Sequence, residues 1–304
     1  MSGALKSRIV IAYRDEGRGS GPFFDHYALQ KATGYETAIA LSSEMSTAAL
    51  LSNTRLVTEA MPYGISNPAA LDKLVPPVTD LKDLSDGLLV IPGRARDTEK
   101  KRPEVHKKRA EFQKNLIKDA LLRGRPILGI CAGSWDIWEY LGGTCKPVTA
   151  HCYRAGMPRI LSSGLIGFNR QVHRVDIQAS TCLASSISRT STKPLIKFPV
   201  NSVHWQAPDK ITLPEGVIIS AYSVTEPRFT PFNSASADPG TVEAFEKKWG
   251  APVMGIQWHP EAYNHSDKSE KYPDTQHSFL LYMAKAGDAY ASKQKVLEEL
   301  KKTF

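Results

Sequence analysis

The most informative segment of this sequence is Arg125-Pro126-Ile127-Leu128-Gly129-Ile130-Cys131-Ala132-Gly133-Ser134-Trp135. Its apolar run ends in a Gly-x-Cys-x-Gly pattern, and a helix-like segment follows from Ser134 to Leu141. This pattern is typical of a nucleophile elbow, in which a strand turns sharply into a helix and exposes one side chain at the bend. The helix N-terminus would favour the thiolate form of Cys131. The alternative is a buried structural cysteine at the end of a core strand.

Apolar runs alternate with helical segments through the first half of the chain. A helix is predicted from Pro103 to Arg123, because apolar residues can line one face of it and Gly124 follows. The runs predicted as strands, besides the one that leads to Cys131, are Arg8 to Tyr13, Glu36 to Leu41 and Gly87 to Gly93. Such alternation predicts an α/β fold with a mostly parallel central sheet and helices on both faces.

The second half has many short strand-like segments and few helices. These segments are Leu165 to Ala179, Leu195 to Val203, Gly216 to Ser223 and Thr241 to Phe245. They predict an additional small β region, and Val253 to Trp258 is predicted as one more apolar strand. Gln276 to Ala286 and Ala289 to Leu300 are predicted as two closing helices. We expect one domain over residues 1–304, with a C-terminal helical extension at about 288–304.

Composition predicts an ordinary globular protein. The chain has 304 residues, of which 41% are hydrophobic and 23% charged. No apolar run approaches the length that spans a bilayer, and Met1 to Val10 contain no apolar core of a secretory signal. The four cysteines form no C-x-x-C pair, which suits a reducing compartment. We therefore expect a cytoplasmic protein that does not bind membranes.

The net charge of +8 raises the question of a nucleic-acid partner. Basic residues cluster at Lys100–Arg102 and at Lys107–Arg109, but no aromatic residues interleave with them. A solvated helix face is the better interpretation, with Arg109 and Glu111 as a surface pair, and no nucleic-acid partner is expected.

A cysteine nucleophile needs a base, and the sequence offers eight histidines. Only His259 follows a clear apolar strand, which is where parallel-sheet proteins present catalytic groups. Glu261 comes two residues later and can orient the imidazole as the third member of a triad. The sequence therefore predicts a Cys131–His259–Glu261 site.

Four ordered motifs make the chain similar to a known family. They are Pro126 to Gly133, Leu141 to Thr144, Val200 to Gln206 and Gly255 to Glu261. In this order they resemble class I glutamine amidotransferase-like proteins, and within these the gamma-glutamyl hydrolase branch (peptidase family C26), which includes gamma-glutamyl-GABA hydrolases. The resemblance is good over about residues 86–285 and looser before them.

The resemblance implies a flavodoxin-like sheet and hydrolysis of a gamma-glutamyl amide. Cys131 would attack the carbonyl, His259 would move the proton, and Glu261 would orient His259. The oxyanion donors would be the N–H of Ala132 and the Gly93–Arg94 turn, although Arg94 replaces a family glycine. The substrate would be a small molecule, with no metal or organic cofactor and with a homodimer as one possible assembly.

The chain departs from the family where the substrate is expected to bind. Trp135 replaces a glutamine that helps hold the glutamyl group, and the family's His-His-Gln segment reads His204-Trp205-Gln206. These residues and His173 are the candidates for substrate contacts. The two tryptophans suggest an apolar or aromatic leaving amine, and core packing is the alternative role for both.

Three other interpretations stay open or are disfavoured. A metal site from Cys145, His151 and Cys152 lacks a second ligand pair at a regular spacing, so no metal is expected. A glutaminase subunit that supplies ammonia to a synthetase is the first alternative function. A catalytically weak binding or regulatory protein is the second, since fold does not fix function.

Overall fold

A computed structural model of the chain describes residues 6–13, 25, 28–30, 32–40, 86–94, 103–148, 151, 158–160, 166–168, 173–188, 198–224, 240–262 and 273–303. The strands are β1 (Arg8–Ala12), β2 (Thr37–Ala40), β3 (Asp86–Ile91), β4 (Ile127–Ile130), β5 (Cys145–Pro147), β6 (Pro158–Ile160), β7 (Ile166–Phe168), β8 (His173–Ile177), β9 (Phe198–Val200), β10 (Gln206–Pro208), β11 (Val217–Val224), β12 (Val242–Lys247) and β13 (Val253–Ile256). The α-helices are α1 (Pro103–Arg123), α2 (Ala132–Tyr140), α3 (Cys182–Ser188) and α4 (Pro273–Thr303).

The chain divides into two compact units, and each has its own strands. The first unit comprises residues 1–127 and 281–304, and the second comprises residues 128–280. In the first, β1 lies between β2 and β3 and pairs with both in parallel. The strands are buried because they are almost wholly apolar, as expected for parallel strands. The predicted single domain over residues 1–304 stays a prediction.

Helix α1 has the bounds that the sequence predicted. Leu116, Ile117 and Ala120 form its buried face. Gly124 follows with φ of 68°, a left-handed conformation that glycine adopts readily, so the helix ends there. The basic cluster at Lys100–Arg102 lies outside the described residues.

The prediction of two closing helices is wrong, because α4 runs without a break from Pro273 to Thr303. Gly287 does not interrupt it, since this glycine serves a close approach: a Cβ there would lie 2.6 Å from the backbone nitrogen of Leu88. The next residue, Asp288, accepts hydrogen bonds from Ser7 and from the hydroxyl of Tyr35. Residues 288–303 are therefore integral to the first unit.

The second unit is built on six strands in the order β4-β13-β12-β11-β8-β9. The pairs β13–β12, β12–β11, β11–β8 and β8–β9 are antiparallel. Two small antiparallel ladders, β5–β10 and β6–β7, accompany them. The additional β region predicted for the second half is thus present, whereas α3, β5 and β10 had no clear sequence signal.

The predicted α/β class and flavodoxin-like sheet are confirmed. The apolar ends of β4 and β13 meet within the second unit, where the N–H of Cys131 donates to the carbonyl of Ile256 at 2.8 Å. The segments after these two strands carry Cys131 and His259, so both candidate catalytic residues belong to one unit. Across the described helices, none is long and apolar enough to cross a membrane.

Candidate active site

Cys131 occupies a strained turn between β4 and α2. Its φ is 53° and its ψ is −116°, and only one other described non-glycine residue has a positive φ. A bulky residue rarely adopts this conformation unless the surroundings enforce it, and such strain is concentrated at functional sites. The predicted nucleophile elbow is therefore present in the geometry of the backbone.

The glycine before the elbow allows α2 to lie directly against β4. A Cβ on Gly129 would come within 2.7 Å of the carbonyl oxygen of Gly133 and of Cδ1 of Ile137. No side chain fits there without moving backbone atoms. Gly129 therefore permits the close strand-to-helix contact that the sharp turn requires.

His259 and Glu261 form a buried pair. Nδ1 of His259 lies 2.8 Å from Oε1 of Glu261, and the two side chains are 12% and 1% exposed. Burial alone would lower the pKa of His259, but the Glu261 carboxylate and a hydrogen bond with the side chain of Cys131 outweigh burial and raise it to about 10. At neutral pH the imidazole is therefore protonated and can stabilise a thiolate or donate a proton to a leaving group.

The segment from Asn201 to Gln206 borders both candidate catalytic residues. Asn201 donates from Nδ2 to the carbonyl of His259 and accepts from its N–H, each at 2.8 Å. The carbonyl oxygen of Val203 lies 3.8 Å from Sγ of Cys131. This segment therefore fixes the backbone of the candidate base and lines the candidate nucleophile.

Trp135 and Trp205 pack against each other behind the elbow. Their rings are 5.2 Å apart in an edge-to-face arrangement with an interplanar angle of 82°. Trp135 is fully buried, and its Nε1 donates to Oε1 of Gln257. Gln257 donates in turn to Ser134, whose hydroxyl donates to the carbonyl of Cys131 at 2.7 Å. These contacts fit the packing role that the sequence left open, and a substrate contact by either tryptophan stays a prediction.

His173 and His204 are brought together with two residues that the predicted substrate site did not include. Both face Glu243, and His151 faces it as well. All four residues are buried. Burial lowers the pKa of His173 to about 4, although the Glu243 carboxylate opposes the shift, so this imidazole is neutral at neutral pH. Gln206, by contrast, is half-buried in β10, and substrate contacts by these residues stay predictions.

The two predicted oxyanion donors lie in different units. Ala132 is the first residue of α2, where a backbone N–H has no partner within the helix. The turn at Gly93 and Arg94 is held by Arg109, which donates to the carbonyls of Pro92 and Gly93. The prediction that Arg109 forms a surface pair with Glu111 is wrong, because Arg109 is only 6% exposed and its guanidinium donates to these two backbone carbonyls.

The model of one protein family, peptidase C26, matches residues 84–261, which is more than half of the chain. The chain belongs to the peptidase C26 family. The match includes the elbow, the His259–Glu261 pair and the segment from Asn201 to Gln206, so the resemblance seen in the motifs is confirmed.

Two curated relatives of this C26 chain carry glutamine amidotransferase names. It is 31% identical over 149 residues to a candidate glutamine amidotransferase of Mycobacterium tuberculosis, a match that covers 48% of this chain and 38% of that protein. It is 26% identical over 225 residues to a candidate glutamine amidotransferase-like protein of Rickettsia prowazekii, covering 62% of this chain and 74% of that protein. The chain thus spans well under half of the first relative's length.

A solved structure shares the fold of the C26 chain. It is that of a candidate GMP synthase protein from Thermoplasma acidophilum, with a TM-score of 0.50 and 16% identity over 95% of this chain and 98% of that one. At this identity the likeness concerns the fold alone.

Two features of this C26 member's site have no signal in the sequence. Asn201 looks like a turn residue, and only its two hydrogen bonds to His259 reveal a positioning role. His151 lies next to Cys152 and near Cys145 in the sequence. The structure instead joins His151 to other histidines and Glu243, and Cys152 lies outside the described residues. Both features depend on contacts between distant segments, which no local motif signals.

Proposed function

We propose that this chain is a cysteine hydrolase that cleaves a gamma-glutamyl amide or peptide bond through a thioester on Cys131. The observation that carries the proposal is the combination of a strained elbow cysteine with a buried His259–Glu261 pair whose imidazole is protonated at neutral pH. Membership of the peptidase C26 family supports the acyl-transfer chemistry. The gamma-glutamyl specificity rests on the motif resemblance.

The proposed reaction has two steps. The Cys131 thiolate attacks the amide carbonyl, and the tetrahedral oxyanion is stabilised by backbone donors that include the N–H of Ala132. The intermediate collapses as His259 gives its proton to the departing amine, which leaves a thioester. His259, now neutral, removes a proton from water, and the hydroxide attacks the thioester. Collapse of this intermediate releases the Cys131 thiolate and the gamma-carboxylic acid, which loses its proton to solvent as it leaves, while His259 keeps the proton taken from water.

The deciding experiment measures glutamate release from gamma-glutamyl amines, gamma-glutamyl peptides, polyglutamylated folate and glutamine. Cys131→Ala should abolish release, whereas Cys182→Ala, which changes an exposed free cysteine, should not. Mass spectrometry of a rapidly quenched reaction should show the glutamyl thioester on the peptide that contains Cys131. Full activity of Cys131→Ala on every substrate that the wild type cleaves would overturn the proposal.

A second candidate is a glutaminase subunit that delivers ammonia to a synthetase, and the names of the two curated relatives favour it. The buried Trp135 in place of the family's glutamine argues against it, because free glutamine needs polar anchoring of its amino-acid end. If the chain is a glutaminase subunit, glutamine should be the substrate cleaved fastest in the panel, and a partner synthetase should stimulate the release of ammonia. Hydrolysis of larger gamma-glutamyl amines in preference to glutamine would exclude it.

A further inference from the structure

We propose that His151, His173, His204 and Glu243 bind a divalent transition-metal ion, with zinc as the ion that this donor set suits best. His151 lies between β5 and β6 in the chain, His173 in β8, His204 between β9 and β10, and Glu243 in β12. One ligand atom from each lies within 4.8 Å of all the others, and all four residues are buried. The site would be structural, and it is independent of the proposed hydrolase activity.

Three distances within the cluster match the spacing of ligands around a tetrahedral ion. Oε1 of Glu243 lies 3.2 Å from Nδ1 of His151, 3.4 Å from Nε2 of His173 and 3.5 Å from Nε2 of His204. Ligands at the usual zinc distances in a regular tetrahedron are about 3.3 Å apart. Charge-assisted hydrogen bonds between nitrogen and carboxylate oxygen are shorter, at about 2.7–2.9 Å. The three nitrogen atoms therefore surround Oε1 at the spacing of ligands around one ion, and none lies at the length of a charge-assisted hydrogen bond.

The outer hydrogen bonds of two imidazoles turn the Nε2 atom of each ring towards Glu243. Nδ1 of His173 lies 3.2 Å from the carbonyl of Arg174, and Nδ1 of His204 lies 3.0 Å from the carbonyl of Gln206. A carbonyl oxygen only accepts, so each Nδ1 is the donor of this hydrogen bond and each ring turns its Nε2 towards Glu243. Metal-bound histidines are commonly oriented in this way by a backbone carbonyl.

Without an ion, this arrangement leaves unpaired polar atoms facing one another in a buried cluster. Among the described residues, neither carboxylate oxygen of Glu243 and neither Nε2 of His173 and His204 has a hydrogen-bond partner, and both ring nitrogens of His151 also lack one. Burying unpaired polar atoms is costly, and an unpaired buried carboxylate is the most costly of them. A divalent cation would satisfy all four side chains at once and offset the negative charge of Glu243.

The cluster is connected to the segment that lines the candidate nucleophile. His204 lies between Val203, whose carbonyl approaches Cys131, and Trp205, which packs on Trp135. The carbonyl of His151 accepts from the N–H of His204 and from the hydroxyl of Ser202. A metal ion at this point would fix the Asn201–Gln206 segment against β8 and β12. Four protein ligands leave no open position, so the ion would not act on substrate.

The test is the metal content of the full-length chain, purified without an affinity tag and dialysed against zinc and then against metal-free buffer. We expect about one zinc ion per chain by inductively coupled plasma mass spectrometry. The variants Glu243→Gln and His173→Gln should each lose it. His106→Gln, which alters a half-buried histidine on α1, is the matched control and should keep it. Cys131→Ala should also keep it, which separates this site from zinc bound to the catalytic thiolate.

Cobalt gives a readout that does not require the variants to fold. Wild-type protein loaded with Co²⁺ should show the intense visible absorption of a tetrahedral ion with nitrogen and oxygen ligands, and zinc should displace it. Wild-type protein that holds less than about 0.1 equivalent of metal after zinc loading would overturn the proposal. A metal ion that is lost in Cys131→Ala but kept in Glu243→Gln would overturn it too.

Discussion

The side chain of Asn201 makes two hydrogen bonds with the backbone of His259. The amide of Asn201 donates to the carbonyl of His259 and accepts from its N–H, and both distances are 2.8 Å. Asn201 thus fixes the main chain of the candidate base, while Glu261 fixes its ring. Val203, two residues after Asn201, borders the sulfur of Cys131. The candidate base and the candidate nucleophile therefore both contact one short segment.

Asn201→Ala should lower kcat by about 10- to 100-fold with little change in KM, because a small displacement of the base costs rate more than binding. Asn201→Asp keeps the acceptor for the N–H of His259 and should recover part of the loss. Steady-state kinetics on the best substrate of the panel measures both effects. If Asn201 were merely structural, the two variants would lose activity only in proportion to the folded fraction measured by circular dichroism.

The raised pKa of His259 predicts how activity depends on pH. The ring keeps its proton until the pH approaches 10, so kcat/KM should stay high at neutral pH and reach half of its maximum near pH 10. Glu261→Gln removes the charge that opposes burial, and the alkaline limb should move down by about 1 pH unit or more. Glu299→Gln changes an exposed carboxylate and should leave the profile unaltered. An unchanged alkaline limb in Glu261→Gln would refute the role assigned to this pair.

The same pKa shift affects stability. Because the pKa is raised from 6.5 to about 10, the stabilising contribution of protonated His259 is fully present below pH 6.5 and is lost as the pH rises to about 10. The midpoint of thermal unfolding should therefore fall more steeply between these pH values for the wild type than for His259→Gln. Scanning calorimetry across this range measures the difference. Parallel curves for the two proteins would contradict the prediction.

Much of the fold and the grouping of Cys131 with His259 and Glu261 could be predicted because the signals are local. The Gly-x-Cys-x-Gly pattern, the helix that ends before Gly124 and the strand before His259 each need only neighbouring residues. The break predicted near Gly287 is wrong, because a glycine that permits a close approach looks the same in sequence as one that ends a helix. The grouping of His151 with Glu243 could not be predicted, since it joins residues far apart in the chain.

Gly129→Ala should destabilise the protein by about 1–3 kcal/mol, because the new Cβ would meet the backbone of Gly133 and the packed side chain of Ile137. Denaturant unfolding measures the change in the free energy of unfolding. Leu122→Ala, at a side chain 77% exposed on α1, is the control and should change it by less than about 0.5 kcal/mol. Equal stability of the wild type and Gly129→Ala would show that α2 is free to move away from β4.

Trp135 distinguishes packing from substrate recognition. Trp135→Phe keeps an aromatic ring against Trp205 but removes the donor to Gln257, which leaves a buried amide oxygen unpaired. We expect a loss of about 1–3 kcal/mol in the free energy of unfolding, measured with denaturant.

If packing is the whole role of Trp135, the ratio of kcat/KM between aromatic and aliphatic gamma-glutamyl amines should stay constant in Trp135→Phe. A change of that ratio by about tenfold, equivalent to about 1.4 kcal/mol, would instead make Trp135 part of the leaving-group site. Trp205→Phe is the matched variant at the second, half-buried indole. If both indoles belong to the leaving-group site, the two variants should change this ratio in the same direction.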